Sequence, residues 1–210
     1  MAKYLTDELE LQSVADAIRA KGGTSASLAF PSGFVSAIEG IEAGGGSGDH
    51  SAEDGIVDGT ISTYSNSNIT TLKRFAFADC YDLKEVNLPN VSYINQSAFC
   101  QCQTLSTIEL PSCEYIGDYA FDSCYNLFTA SFPAATYIGQ RAFRQCSNLY
   151  SLYLLGSSMA SISTHNVFTG TPISTSTASG YGSIYVPASL ISVYRGDGEW
   201  SYFRSRFVDV

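Results

Sequence analysis

The sequence predicts an α/β solenoid of stacked 22-residue coils behind a small helical hairpin, and three observations predict it. First, Phe77, Phe99, Phe121 and Phe143 share one 22-residue step with Ala76, Ala98, Ala120 and Ala142, and with Cys80, Cys102, Cys124 and Cys146. Leu83, Leu105, Leu127 and Leu149 keep it, as do Leu72, Ile94, Ile116 and Ile138; Pro89, Pro111 and Pro133 complete the pattern. Second, the latter half of each copy, as in Leu105-Ser106-Thr107-Ile108-Glu109-Leu110-Pro111, alternates apolar and polar residues, the mark of a half-buried strand. Third, a glycine-rich run, Gly44-Gly45-Gly46-Ser47-Gly48, divides these repeats from an amphipathic opening segment.

The opening segment is expected to form residues 1–43, two short helices. Thr6 suits an N-cap, with Asp7 and Glu8 in the positive first turn. Leu11, Val14, Ala15 and Ile18 fall on one helical face, and Gly22-Gly23 ends the helix. Pro31 suits the first turn of a second helix, along which Phe34, Val35, Ile38 and Ile41 repeat the apolar spacing. Two such helices cannot bury both faces alone, so the hairpin is expected to oligomerise or dock. Residues 44–54 read as a linker, and residues 55–210 as the repeat domain.

Within a coil, the first half, Ile116 through Cys124, has helix-like or 3-10 spacing and the second half is the strand. A lone coil is unstable. Each buried apolar side chain contributes roughly 1.5–3 kcal/mol, while ordering the backbone costs roughly 1–2 kcal/mol per residue. Stacked coils share faces and are stable together. The ends must differ from the middle. Residues 55–62 are expected to form an opening strand, Ile162 through Phe168 a degenerate repeat and Ile184-Tyr185-Val186-Pro187 a last strand. Leu190, Val193, Trp200, Tyr202, Phe203 and Phe207 are expected to plug the open end of the core.

Composition excludes several functions. The net charge is -9, and residues 1–58 hold ten of the twenty acids against three basic residues, Lys3, Arg19 and Lys21. Nucleic-acid binding needs clustered Lys and Arg, so no nucleic-acid partner is expected. No apolar run approaches the ~20 residues of a membrane span, and the N-terminus carries no Sec-type signal. The two histidines, His50 and His165, belong to no ligand-spaced cluster, and no nucleophile elbow or phosphate-cradling loop is present. No enzymatic activity, cofactor or metal is expected. The acidic group Asp49, Glu53, Asp54 and Asp58 fits no calcium-loop spacing and reads as a solvated linker.

Six cysteines invite a disulfide or zinc reading, but Cys100-Gln101-Cys102 has no matching second pair. Four of them fall in one column, which predicts a ladder of small buried thiols. Cys113 shares a column with Ile69, Val91 and Ala135 and is expected to be buried. Cys100 shares one with Ala78, Asp122 and Arg144 and is expected to be exposed or nearly so. All six are predicted to be free thiols.

Because Leu83, Val86, Leu88 and their copies face inward, the residues between them face outward. The outward columns read Lys84, Ser106, Phe128, Tyr150; then Glu85, Thr107, Thr129, Ser151; then Asn87, Glu109, Ser131, Tyr153. Phe128, Tyr150 and Tyr153 therefore cluster on the sheet face, with Lys84 and Glu109 on the same surface. Exposed aromatic clusters mark contact sites, so these five residues are the candidate ligand-binding set. The alternative is that the cap or the irregular final repeat folds over the rings. Tyr93, Tyr115 and Tyr137 form another column, read as edge packing.

The motif Ile116-Gly117-Asp118-Tyr119-Ala120-Phe121-Asp122-Ser123-Cys124-Tyr125-Asn126-Leu127 and its copies resemble the BspA-like leucine-rich repeats of the Treponema pallidum type. The resemblance covers roughly residues 56–210, including Ile184-Tyr185-Val186-Pro187-Ala188-Ser189-Leu190. It implies a leucine-rich-repeat solenoid of short strands and short helical or 3-10 turns, found in bacterial surface adhesins, protist surface proteins and phage proteins. Val14-Ala15-Asp16-Ala17-Ile18-Arg19-Ala20-Lys21, with Leu28-Ala29-Phe30-Pro31-Ser32-Gly33-Phe34, looks like the N-terminal module of tail and minor structural proteins in phages of gut Firmicutes. The two resemblances together imply a non-enzymatic, tail-associated protein of the virion. Its solenoid would contact a host cell-surface protein or glycan. Its hairpin would hold other tail proteins or a homo-oligomer, expected to be a trimer. A bacterial cell-surface adhesin and an intracellular protein-interaction scaffold are the alternatives.

Overall fold

The computed structural model describes residues 61–174 and 182–210, all within the second of the two units into which the chain divides, Ser51–Val210. The expected hairpin, linker and acidic group lie outside the described residues, as does all but the end of the opening strand expected over 55–62.

Each coil contributes two short strands, one to each side of the core. The first side carries β2 (Thr71–Leu72), β4 (Tyr93–Ile94), β6 (Tyr115–Ile116), β8 (Tyr137–Ile138) and β10 (Ser161–Ile162) in one parallel five-stranded sheet. The second side carries β1 (Thr63–Ser65), β3 (Glu85–Asn87), β5 (Thr107–Glu109), β7 (Thr129–Ser131), β9 (Ser151–Tyr153), β11 (Ser183–Val186) and β12 (Phe207–Asp209). Here β1 and β3 pair with each other, while β5, β7, β9, β11 and β12 form a separate parallel ladder. Register follows the sequence period: Thr107 pairs with Thr129 and Thr129 with Ser151, one coil apart each time. The first described strand is thus β1, a regular copy of β3. The ladder closes on β12 and not on the expected 184–187 strand, because Phe207 pairs with Ile184 and extends the sheet by one strand.

Between the two strands of each coil runs an arc of consecutive turns, the form taken by the 3-10 spacing. In one arc the N–H groups of Ala120, Asp122 and Cys124 donate to carbonyls three residues back, at 3.3, 3.0 and 3.3 Å. The alternate N–H groups, of Tyr119, Phe121 and Ser123, donate instead to Gln140, Ala142 and Arg144 of the next coil, at 2.9, 2.7 and 2.8 Å. Tyr119 and Ser123 reach this geometry with φ of 57° and 62°, and Phe75, Asp79, Ser97, Gln101, Arg141 and Gln145 repeat it in the other coils. A left-handed residue other than glycine costs about 1–2 kcal/mol. That cost is offset because the arc becomes a third hydrogen-bonded ladder between coils. Gly117 permits the close approach: a Cβ there would lie 2.7 Å from the backbone of Ile94 and Asn95.

The core is the set of columns read from the sequence. Phe77, Phe99, Phe121 and Phe143 form one internal row with ring centroids 4.9, 5.1 and 5.2 Å apart and planes within 5° of parallel. Phe168 continues the row at 5.8 Å. The Ala, Leu, Ile and Cys columns are buried beside it. At the far end α1 (Ile191–Gly196) and a 3-10 segment (Trp200–Arg206) close the core. Trp200, Phe203 and Phe207 are the plug, joined by Tyr194, which the sequence reading passed over. Val193 and Tyr202 are not part of it. Both are exposed, and Tyr202 stacks outside on His165 at 4.4 Å.

Candidate functional site

The outward-facing rings of the second sheet are held by the alternation of its strands. Ile108, Ala130, Leu152 and Ile184 point into the core, so their strand neighbours point away from it. Phe128 and Tyr150, just before β7 and β9, are 51% and 37% exposed, with ring centroids 5.3 Å apart. Tyr153, at the end of β9, is half-buried and stacks at 4.5 Å on Tyr185 of β11. The described cap leaves Phe128 and Tyr150 uncovered.

The structure therefore brings together Phe128, Tyr150 and Tyr153 and adds Tyr185. Sequence reading missed Tyr185 because the 22-residue step fails between Tyr153 and Tyr185. The surviving signal is the shared apolar-Tyr-apolar pattern of Leu152-Tyr153-Leu154 and Ile184-Tyr185-Val186. Lys84 and Glu109 are exposed on the same side but stand further down the solenoid, at β3 and β5. Between the rings lies a floor of hydroxyls: Thr129, Ser151 and Ser183 are in register across β7, β9 and β11. The outward columns of these three strands carry no charge.

On the opposite sheet Tyr93, Tyr115 and Tyr137 stack at 4.2 and 4.9 Å. Burial, then the neighbouring Tyr93, pushes the Tyr115 phenol up to about 12. Their ring faces cover one another, consistent with edge packing.

The arc carries a polar cluster. Arg144 makes a bidentate ion pair with Asp122, at 2.8 and 2.7 Å, one coil apart. Arg141 donates to the Tyr119 hydroxyl at 2.8 Å, and both guanidinium groups lie within 6 Å of the Tyr119 ring. The column of Ala78, Cys100, Asp122 and Arg144 is thus less open than its polarity indicates. Cys100 is half-buried, and Asp122 is buried because Arg144 neutralises it.

All six cysteines are free. The thiols of Cys102, Cys124 and Cys146 donate to the carbonyls of Phe77, Phe99 and Phe121 at 3.0–3.1 Å, so the column is hydrogen-bonded as well as buried. Burial, then Asp122 and Asp79, pushes Cys100 up to about 11. Burial pushes Cys113 up to about 12 and Cys124 well above its ordinary range. These are poor nucleophiles, because the thiolate is the reactive form. The native protein is expected to react slowly with a thiol reagent at pH 8, and all six thiols to appear on unfolding. Fast native reaction of several thiols would contradict the buried ladder. The same shifts set a pH dependence. Unfolded thiols ionise near 9.0, whereas folded Cys100, Cys113 and Cys124 stay neutral there. Their contribution to stability is therefore fully present below about pH 9 and is lost as pH rises toward the folded values. Melting temperatures are expected to be flat from about pH 6 to 8 and to fall above about pH 9.

Among the described residues no group of three or more His, Cys, Asp or Glu is placed to hold a metal ion. Among them, too, no helix is long and apolar enough to cross a membrane.

Short parallel strands in register, stacked coil upon coil over a continuous aromatic and aliphatic row, define a leucine-rich-repeat solenoid. The chain belongs to the BspA type leucine rich repeat region family, which it matches in six copies over residues 62–184. It is similar to the leucine rich repeat protein of Treponema pallidum at 30% identity, over 44% of this chain and 45% of that one, with a TM-score of 0.43. A leucine rich cell surface protein of Faecalibacterium prausnitzii is similar at 20% identity, over 70% of this chain and 42% of its own, with a TM-score of 0.38. The matched regions span less than half the length of either structure. No curated protein matches the chain.

Proposed function

We infer that the chain is a non-enzymatic binding protein of a bacteriophage tail, whose second sheet face contacts a protein or glycan on the host surface. The observation that carries the binding role is the uncharged aromatic cluster in which Phe128 and Tyr150 stand exposed and in contact, beside the half-buried, stacked pair of Tyr153 and Tyr185. Rigid rings that need no rearrangement lose little entropy on binding, which is why such clusters dominate recognition energetics. The tail assignment rests on the resemblance of residues 14–34 to phage structural modules. Residues 1–43 would attach the chain to other tail proteins or to further copies of itself.

A bacterial cell-surface adhesin using the same face is the second reading, and membership of the BspA-type family favours it equally. Detection of the chain in purified phage particles would support the first reading; detection on intact cells free of phage would support the second. For the binding role itself, the full chain is tested for capture by cell envelopes. Replacing Phe128, Tyr150 and Tyr153 together by alanine is expected to abolish capture while lowering the melting temperature by no more than a few degrees. A collapse in stability would show instead that the rings are core, and undiminished capture would refute the assignment of the surface.

A further inference from the structure

Both aromatic ladders on the second sheet face stop short in the same direction. Phe128 lies 5.3 Å from Tyr150 with the two ring planes tilted by 36°, and the next position down its column is Ser106. Tyr153 stacks on Tyr185 at 4.5 Å, and the next position down is Ser131. Each lower ring thus has a neighbouring ring on one side and a small hydroxyl residue on the other. Adjacent strands are about 4.8 Å apart, so each serine leaves a space one rung high beside an aromatic ring. Beyond each gap stands a charged side chain, Lys84 beyond Ser106 and Glu109 beyond Ser131.

We propose that these two gaps are sugar subsites, and that the ring of a pyranose takes the place of the missing rung at Ser106 below Phe128 and at Ser131 below Tyr153. The proposal rests on the reading of this face as the binding surface and names its ligand class. A pyranose presents C–H faces that stack on an aromatic ring and hydroxyls around its rim. Here the rim would meet Ser106, Thr107 and Lys84 in one gap, and Ser131, Thr129 and Glu109 in the other. A phenylalanine or aliphatic side chain from a protein partner would cover the same groups and pair with none of them, which disfavours a purely apolar anchor. An extended peptide is also out of step, since its same-side residues advance about 6.6–7 Å against the 4.5–5.3 Å of the ladders. The gaps lie on opposite edges of the face, roughly 10 Å apart along the strand direction, and one coil apart. A single short oligosaccharide can therefore enter both.

The test uses the full chain on a printed panel of neutral hexose and N-acetylhexosamine oligosaccharides, with calorimetric titration of those retained. The wild type is expected to bind at least one. Ser106→Phe and Ser131→Tyr, which supply the missing rungs from the protein itself, are each expected to weaken that binding roughly tenfold or more, with an unchanged or raised melting temperature. An apolar protein-binding patch would respond in the opposite sense, because both changes enlarge it. The proposal is overturned if no oligosaccharide binds, or if the filled variants bind as tightly as the wild type. Envelope capture that survives periodate and is abolished by protease would overturn this inference while leaving the surface assignment intact. Envelope capture unchanged by the triple alanine replacement would overturn both.

Discussion

Phe121→Ala is expected to destabilise the solenoid by about 3–5 kcal/mol, the cost of emptying a large, fully buried aromatic site. Phe121 is 0% exposed and stacks on Phe99 and Phe143, with Phe132 tilted against it at 5.7 Å. Such a loss is a large share of the roughly 5–15 kcal/mol that holds a domain folded. The position matters as much as the size. Coils touch only their neighbours, so a weak central coil uncouples the parts on either side. Urea denaturation is expected to show a lower midpoint and a broadened or two-step transition. Phe77→Ala is expected to cost less, because among the described residues Phe77 stacks on Phe99 alone and meets Tyr64 edge-to-face. A loss below about 1 kcal/mol at Phe121 would mean that the row is not what couples the coils.

Trp200→Ala is expected to have an effect of similar size at the other end. Trp200 is fully buried among Phe168, Tyr194, Phe203 and Phe207, and its Nε1 donates to the Ala160 carbonyl at 2.6 Å. Alanine removes about 3–5 kcal/mol of packing and orphans that carbonyl, a further penalty of about 1–3 kcal/mol. Trp200→Phe keeps most of the packing and loses only the hydrogen bond, so an intermediate melting temperature is expected. Trp200 is the one tryptophan in the chain. Its fluorescence in the wild type therefore reports the plug alone, while far-ultraviolet circular dichroism reports the coils. If Trp200→Ala melted with the wild type, the plug would be decoration and the final coil would have to close itself.

The regular coils were legible because a strict period forces equivalent residues into one environment. The aromatic row, the thiol ladder and the outward columns all follow from it. The plug was less legible because its residues obey no period. Whether Val193 or Tyr194 turns inward is decided by the phase of α1 against the last coil, and a six-residue helix leaves no repeat from which to read that phase. The left-handed residues were invisible for another reason. Phe75, Ser97 and Tyr119 have no chemical preference for that conformation; the neighbouring coil imposes it by offering a carbonyl to the turned N–H. The Asp122–Arg144 pair was within reach, since opposite charges one coil apart in a column face each other. The polarity of both residues pointed instead to solvent. The candidate surface was found through Phe128, Tyr150 and Tyr153, which keep the period or its alternation, while Tyr185 lies past the point where the period breaks.

The turned N–H groups of the arcs have a consequence for how the molecule can change length. The three arcs that begin at Phe75, Ser97 and Tyr119 offer equivalent donors to the coil above. Any regular coil can therefore sit between any two others. Adding or removing one 22-residue coil would move the aromatic end outward or inward in steps of about 4.8 Å. The Trp200 closure would be carried along unaltered. The reach of the protein is therefore set in whole coils, since only a whole 22-residue step returns every buried column to its own row.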